Sequence, residues 1–189
     1  MLVENTYQYD FELFLKHFMI ILITGKAGSG KSTLAAIFEE HGFKNVALAD
    51  KLKEFTYKCL QVFGIEIDSL KDLYEQSTKT QYRTYLQKLG TECFRETFGD
   101  DFWCDVLMND IRDAPNVVIS DIRYENEIEY FKQRFECVVV KIVRNNSILT
   151  DSQQHHSSEI GIRDELCDVI LNNNSSIESL RTFVSKFLK

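Results

Sequence analysis

The segment from Gly25 to Thr33 reads Gly-Lys-Ala-Gly-Ser-Gly-Lys-Ser-Thr. A continuously apolar run, Met19–Thr24, precedes it, and a helical pattern that ends near Gly42 follows. The segment satisfies the spacing GxxxxGK[ST], which joins a strand through a glycine-rich loop to a helix. An uninterrupted apolar run is typical of a strand covered on both faces. The sequence therefore predicts a phosphate-binding loop at the end of a buried strand.

The spacing of the loop follows from the chemistry of a phosphate chain. Backbone N–H groups surround phosphate oxygens only where side chains are missing and where φ is free to be positive. Lys31 adds a charge on the β and γ phosphates, Ser32 offers a hydroxyl to Mg²⁺, and the helix N-terminus adds its positive dipole end. The predicted ATP-binding residues of this loop are Gly25, Ala27, Gly28, Ser29, Gly30, Lys31, Ser32 and Thr33.

The loop alone leaves several functions open. A glycine-rich turn without a ligand is the structural alternative, and ATPases, GTPases, kinases and sulfotransferase-like proteins share the motif. No NKxD guanine reader follows in the later strands, and 189 residues are too few for a motor ATPase. Elimination favours a kinase that acts on a small molecule.

Strands and helices alternate along the rest of the chain. Further strands are predicted at 46–49, 117–120, 137–143 and 168–172, with helices from 51 to 64, from 125 to 135 and from a Ser175–Glu178 capping box to Leu188. Such alternation predicts an α/β fold with a parallel, right-handed sheet. The expected fold is the three-layer P-loop NTPase fold with about five parallel strands.

The domain organisation is predicted from length and from the segments that lack strands. A chain of 189 residues, of which 44% are hydrophobic, can bury one substantial core. We therefore expect a single domain at 19–189, with a helical substrate-binding insertion at about 65–110 and a lid at about 144–166. Residues 1–18 are either an accessory helix or a read-through extension before Met19.

Composition excludes some partners and compartments. The formal net charge of −7 argues against a nucleic-acid backbone as the main partner, because that contact needs a basic face. The apolar run at 18–23 is too short to span a bilayer, which predicts no membrane segment. The five widely spaced cysteines contain no CxxC pair and are expected to be core thiols in a reducing compartment. We expect a cytoplasmic protein, in the host cytoplasm if its source is viral; the sequence leaves a homodimer open.

A second candidate site follows the strand at 117–120. Asp121 ends this strand at the edge that faces the phosphate loop in a parallel sheet, so it is the predicted metal ligand together with Ser32. The alternative is an ordinary strand-ending or helix-capping Asp. Arg123, two residues further, is predicted to contact a phosphate, and its alternative is a surface ion pair with Glu125 or Glu127.

The helix predicted from about Tyr82 to Phe98 has an apolar face and a polar face. At about 100° per residue, the apolar side consists of Tyr82, Tyr85, Leu86, Leu89 and Cys93. The polar stripe consists of Arg83, Gln87, Gly90 and Thr91. A glycine inside a helix costs about 1 kcal/mol relative to alanine, so Gly90 indicates that another group lies close to the backbone. That group is either a base or sugar, or another helix against which the glycine packs on an otherwise solvated face. Arg95 adds a second charge, and Trp103 is either a stacking surface or core.

Several of these stretches together resemble the bacteriophage-type deoxynucleoside monophosphate kinases, and the likeness covers nearly the whole chain from Met19. The stretches are GKAGSGKST, ADKLKE (49–54), RTYLQKLGTECFRETFGDDFW (83–103) and VVISDIRYENE (117–127). The string R-x-x-LQ-x-LGTE-x-x-R is the most specific of them. His156-Ser-Ser-Glu159 is similar to the HxSE of that family and lies in the predicted lid.

The resemblance implies roles for individual residues. Arg83 and Arg95 would hold the acceptor monophosphate, and Gly90, Thr91 and Trp103 would shape the nucleoside pocket. The predicted substrate-binding residues are Asp50, Lys51, Arg83, Gln87, Gly90, Thr91, Arg95, Trp103 and Glu159. Arg144 and the loop after it would close over ATP, although this loop has fewer arginines than many nucleotide kinases.

The resulting hypothesis is Mg²⁺-assisted transfer of a phosphoryl group from ATP to a (deoxy)nucleoside monophosphate. Lys31, Arg83 and Arg123 are the predicted catalytic residues. One alternative is a P-loop kinase for another small acceptor, such as dephospho-coenzyme A. Another is a nucleotide-binding or switch protein without catalysis.

Overall fold

The computed structural model describes residues 19–145 and 161–189, and at 76–80 it describes the backbone alone. The extension predicted at 1–18, most of the predicted lid, His156 and Glu159 lie outside the described residues. Those assignments stay predictions.

The described residues form two compact units. The first, the sheet unit, comprises Val46 and the described residues before it, together with those from Ile111 to Lys189. The second, the helical unit, is Ala47–Asp110. The single domain and the insertion boundaries expected from the sequence stay predictions.

One parallel sheet organises the sheet unit. Within the described residues it contains β1 (Met19–Thr24), β2 (Lys44–Val46), β3 (Asn116–Ile122), β4 (Glu136–Val143) and β5 (Val169–Asn172). The strand order is β2-β3-β1-β4-β5, and each neighbouring pair is parallel. The predicted α/β fold with about five parallel strands is confirmed.

The longer α-helices of the described residues lie between these strands, except the last one, which follows β5. They are α1 (Lys31–Glu40), α2 (Ala49–Val62), α3 (Gln76–Gln87), α4 (Phe102–Ile111), α5 (Glu125–Lys132) and α6 (Ile177–Phe187). None of the helices in the described residues is long and apolar enough to cross a membrane.

The core lies on both faces of the central strand β1. Ile21 and Ile23 are fully buried against α1 and α6, in one cluster with side chains of β3 and β4. Ile20 and Leu22 are also fully buried, and they point to the opposite face because side chains alternate along a strand. Helix α5 contacts β4, and it lies on that side because the right-handed connection from β3 to β4 crosses the sheet in the direction opposite to the connection from β1 to β2. The sheet unit therefore has three layers, as expected of a parallel sheet covered by helices.

Two local predictions in the sheet unit are wrong. The second strand is Lys44–Val46 rather than 46–49, because Leu48 already has helical dihedral angles and α2 begins at Ala49. The capping box at Ser175 does not form: Ser176 is the N-cap of α6, and no side chain caps the helix by a hydrogen bond.

The helical unit differs from the predicted α-helix at 82–98. After α3, residues Lys88–Arg95 wind as a π-helix and Glu96–Phe98 form one final α-turn. The inward positions are Tyr82, Leu86, Gly90 and Arg95, all buried, whereas Tyr85 and Cys93 are exposed. A π-helix bonds i to i+5 and takes more residues per turn, so the inward position moves from the expected 93 to 95.

The five cysteines are all free thiols, and they differ in how far they are buried. Cys104 is buried as expected, but Cys93 is exposed. Burial raises the pKa of the Cys137 thiol to about 12. At pH 8 roughly one Cys137 in ten thousand is therefore the thiolate, which is the form that reacts with alkylating reagents.

We expect iodoacetamide at pH 8 to modify Cys93 in the native protein and to leave Cys137 unmodified until the chain is unfolded. Peptide mass spectrometry of labelled native and urea-treated samples measures this. Labelling of Cys137 at the rate of Cys93 in the native protein would contradict the burial of that thiol.

Candidate functional site

The phosphate loop follows β1 directly and leads into α1. Gly25, Gly28 and Gly30 have φ of 143°, 77° and 107°, which side chains disfavour. A Cβ at Gly25 would overlap the main-chain carbonyl oxygen of Ile142 on β4. The motif therefore needs glycine here for the backbone conformation and for the close packing of the loop against β4.

The Lys31 side chain folds back onto the start of this loop. Its Nζ donates to the carbonyl oxygens of Gly25, at 2.6 Å, and Lys26, at 2.9 Å. These bonds hold the ammonium group against the start of the loop. Lys31 itself is the first residue of α1, followed by Ser32 and Thr33. Positive charge, backbone N–H groups and the N-terminus of a ten-residue helix converge at one place, as phosphate binding requires.

Three predicted residues of the sheet unit lie beside the loop at the carboxyl edge of the sheet. Asp121 lies near the end of β3 and Arg123 follows it, while Arg144 follows β4. Because β3 and β4 both pair with β1, the ends of these strands meet where β1 enters the phosphate loop. The fold therefore brings these side chains to the same edge.

A bulge determines how β3 presents Asp121. Leu22 pairs with Ile119, but Thr24 pairs with Ile122, so β3 has one extra residue at Ser120–Asp121. Both of these residues are partly exposed, and the Ser120 hydroxyl donates to the carbonyl oxygen of Val46 at 3.3 Å. Bulges redirect side chains next to active sites.

Glu127 was not predicted as a positioning group for Arg123. It is buried, and its Oε2 accepts the backbone N–H groups of Arg123, at 2.7 Å, and Tyr124, at 3.1 Å. Glu125, the other predicted partner of Arg123, forms a two-bond ion pair with Arg163 at 2.7 and 2.8 Å, and this pairing lowers the pKa of the Glu125 carboxyl. The acidic residues after Arg123 thus order the start of α5 and bind another arginine.

The donors at this edge suit Mg²⁺. Ser32 offers a hydroxyl oxygen and Asp121 a carboxylate, and Mg²⁺ prefers oxygen ligands and keeps few protein ligands when phosphates complete its shell. Among the described residues no group of three or more His, Cys, Asp or Glu side chains is arranged to hold a metal ion. The Mg²⁺ site predicted at Ser32 and Asp121 stays a prediction.

In the helical unit, Asp50 and Lys51 lie in the first turn of α2. Asp50 accepts hydrogen bonds from the Ala47 N–H at 3.0 Å and the Tyr74 hydroxyl at 3.0 Å, and it pairs with Lys53 at 3.3 Å. The Lys53 ammonium also lies 3.8 Å from the centre of the Tyr74 ring. Lys53 and Tyr74 were not predicted from the sequence, although Lys53 lies within the ADKLKE stretch.

Lys51 contacts two carboxylates, Glu54 at 3.4 Å and Asp110 at 3.5 Å. The bond to Glu54 in particular raises the pKa of the Lys51 ammonium. The side chain therefore stays cationic at neutral pH, at the start of α2.

The predicted polar stripe starts on α3 and continues into the π-helix. Arg83 and Gln87 are half-buried on α3, Thr91 is half-buried in the π-helix, and Gly90 is buried. A Cβ at Gly90 would lie 2.8 Å from Leu52 Cδ2. The group that lies close to this backbone is therefore a side chain of α2, the second of the two interpretations offered above.

Arg95 and Trp103 are both buried in the helical unit. Arg95 Nη1 donates to the carbonyl oxygen of Asp100 at 2.6 Å, and Trp103 Nε1 donates to that of Gly90 at 3.0 Å. The Trp103 ring lies in a cluster of aromatic side chains with Phe55, Phe94, Phe98 and Phe102. These contacts order the π-helix and the loop after it; the predicted ligand contacts of both residues stay predictions.

Comparison with known proteins places this chain in a family. The family model described as deoxynucleotide monophosphate kinase matches residues 63–184, which is more than half of the chain. Over 184 residues the chain is 28% identical to a protein of Acanthamoeba polyphaga mimivirus that has been given the name deoxynucleotide monophosphate kinase provisionally; the match covers 85% of this chain and 91% of that protein.

The chain is also similar to two further proteins, one by sequence and one by fold. A UPF0200 protein of Sulfurisphaera tokodaii is 28% identical over 177 residues, covering 90% of this chain and 96% of the relative. The solved structure of TT1252 from Thermus thermophilus superposes with a TM-score of 0.54 at 19% identity, covering 91% of this chain and 97% of that one. The family match confirms the resemblance found in the sequence, and the chain belongs to the deoxynucleotide monophosphate kinase family of P-loop kinases.

Proposed function

We propose that this protein transfers the γ-phosphoryl group of ATP to a deoxynucleoside monophosphate, with ADP and the nucleoside diphosphate as products. The observation that carries the proposal is the phosphate loop, in which three positive-φ glycines and the Lys31 ammonium converge at the start of α1. The family match over residues 63–184 supports the choice of acceptor.

The proposed mechanism needs positioning and charge rather than a general base. The acceptor monophosphate oxygen is already anionic, so the protein has to hold two phosphate groups in line and neutralise the charge between them. In the proposal, backbone N–H groups of the loop and Lys31 bind the β and γ phosphates of ATP, while Arg123 stabilises the transferring group. Arg144 is proposed to contact ATP. Ser32 and Asp121 would hold Mg²⁺, which would supply further positive charge on the phosphates.

The acceptor is assigned to residues of the helical unit. Arg83 and Arg95 are proposed to bind the acceptor monophosphate, and Gln87, Thr91 and Trp103 to shape the nucleoside pocket, bordered by Asp50 and Lys51. Arg83 is half-buried on a regular helix, where a charged side chain keeps its orientation better than on a loop. Glu159 is proposed as a further residue that binds the acceptor.

A panel of acceptors tests this proposal. With ATP and Mg²⁺ we expect ADP and a nucleoside diphosphate from at least one of dAMP, dCMP, dGMP and dTMP, with the corresponding ribonucleotides and dephospho-coenzyme A in parallel. Chromatography of both products separates transfer from hydrolysis.

If dephospho-coenzyme A is phosphorylated and no nucleoside monophosphate is, the proposed acceptor is wrong. Binding of ATP without any phosphorylated product would favour a nucleotide-binding protein without catalysis. Each of these results contradicts the proposal in a different way.

A further inference from the structure

Asn173 contacts the phosphate loop from the far end of the chain. It follows the last residue of β5, and its backbone N–H donates to the carbonyl oxygen of Val143 at 2.7 Å, next to the β4–β5 pairing. Its side chain is buried, with 8% of the residue exposed. Nδ2 donates to the carbonyl oxygen of Ser29 at 2.8 Å, a bond between residues 144 positions apart.

This bond orients a peptide group within the loop. The carbonyl oxygen of Ser29 and the N–H of Gly30 belong to one planar trans peptide, in which they point in opposite directions. Because the carbonyl oxygen points to Asn173, the Gly30 N–H points to the other side of the loop backbone. A peptide turned the other way would present a carbonyl oxygen, which repels phosphate, instead of a donor.

The shape of Gly30 agrees with this role. Its φ is 107°, and a Cβ on it would overlap Asn173 Nδ2. The glycine therefore permits both the backbone turn and the close approach of the amide. An amide is also suitable because it donates without charge, whereas a carboxylate here would repel both the Ser29 carbonyl oxygen and a phosphate chain.

We infer that Asn173 is a positioning residue of the phosphate loop, which holds the Ser29–Gly30 peptide with its N–H turned toward bound phosphate. This rests on the proposed function, since it assigns a task within the same loop. Asn173 itself does not touch the reacting atoms and acts through Gly30.

Asn173→Ala tests the inference by phosphate affinity. Without the bond from Asn173, the Gly30 N–H is no longer held toward the phosphates. This loss of one fixed donor to a charged ligand should weaken the binding of ATP about tenfold. It should weaken the binding of inorganic tripolyphosphate by the same factor, because the donor contacts only the phosphates. Isothermal titration measures both affinities. In steady-state kinetics KM for ATP should rise while KM for the acceptor stays constant.

Two further variants control for folding and for charge. Asn172→Ala removes an exposed amide one residue earlier and should leave both affinities unchanged. Asn173→Asp keeps the size of the side chain and should weaken ATP more than Asn173→Ala, because it adds a negative charge. If Asn173→Ala does not fold, Asn173→Asp measured against Asn172→Asp decides the same question.

Lys31→Ala distinguishes the possible failures. If it weakens ATP while both Asn173 variants bind like the wild type, the inference is wrong and the phosphate loop stands. A lower melting temperature with unchanged affinity for ATP and tripolyphosphate would show a purely structural Asn173 and would also overturn it. If the wild type binds neither ATP nor tripolyphosphate, the proposed function fails and the inference fails with it.

Discussion

Replacing Lys31 with alanine should lower kcat for phosphoryl transfer about 10²- to 10³-fold, the loss that follows removal of one preorganised charge or donor from a transition state. Lys31 is already held over the loop by the carbonyl oxygens of Gly25 and Lys26, so its charge needs little reorganisation when phosphate binds. Coupled detection of ADP with a saturating deoxynucleoside monophosphate measures the effect.

Lys26→Ala is the matched control for this prediction. It removes the same charge from the same loop, but the Lys26 side chain is exposed and precedes the helix. We expect it to retain kcat within about threefold, as surface charges usually contribute little. Equal losses in the two variants would mean that the net charge of the loop matters and the position of Lys31 does not.

Replacing Arg83 with alanine should lower kcat/KM for the acceptor about 30- to 100-fold, the range expected when hydrogen bonds to a charged ligand are lost. KM for ATP should change little, because the proposed role of Arg83 concerns the acceptor alone. Initial rates over a matrix of ATP and acceptor concentrations separate the two parameters.

The control for Arg83 is Lys88→Ala, which removes an exposed cation at the start of the π-helix. Arg83→Lys should recover part of the activity, since it restores the charge but not the planar set of donors of a guanidinium. Unchanged kinetics of Arg83→Ala with every acceptor tested would remove Arg83 from the acceptor site.

The sequence predicted β1, β3, β4 and β5 closely, because each is a short and largely apolar run, but it misplaced β2, whose residues Lys44–Val46 are mostly polar. It did not predict the strand order, which depends on how the elements pack rather than on any one of them. The predicted capping box at Ser175 was also wrong: the local pattern favours Ser175, three residues before Glu178, but α6 starts one residue later, with Ser176 as its N-cap.

Residues 82–98 show how a periodicity argument fails. An α-helical count places Cys93 on the buried face, but the chain winds as a π-helix from Lys88 and buries Arg95 instead. The Gly90 backbone lies against Leu52 of another helix and accepts a hydrogen bond from Trp103. Neither Leu52 nor Trp103 lies within ten residues of Gly90, so the periodicity around Gly90 does not reveal these contacts.

By itself, the sequence determined the phosphate loop, the parallel strands and the family, because each is encoded in contiguous residues whose chemistry or spacing is specific. The tertiary structure alone decided which groups surround that loop. The bulge at Ser120–Asp121 sets how β3 ends beside it, and Asn173 meets Ser29 across 144 residues. Contacts of this kind depend on the packing of separate strands against one another, and no local pattern carries that information.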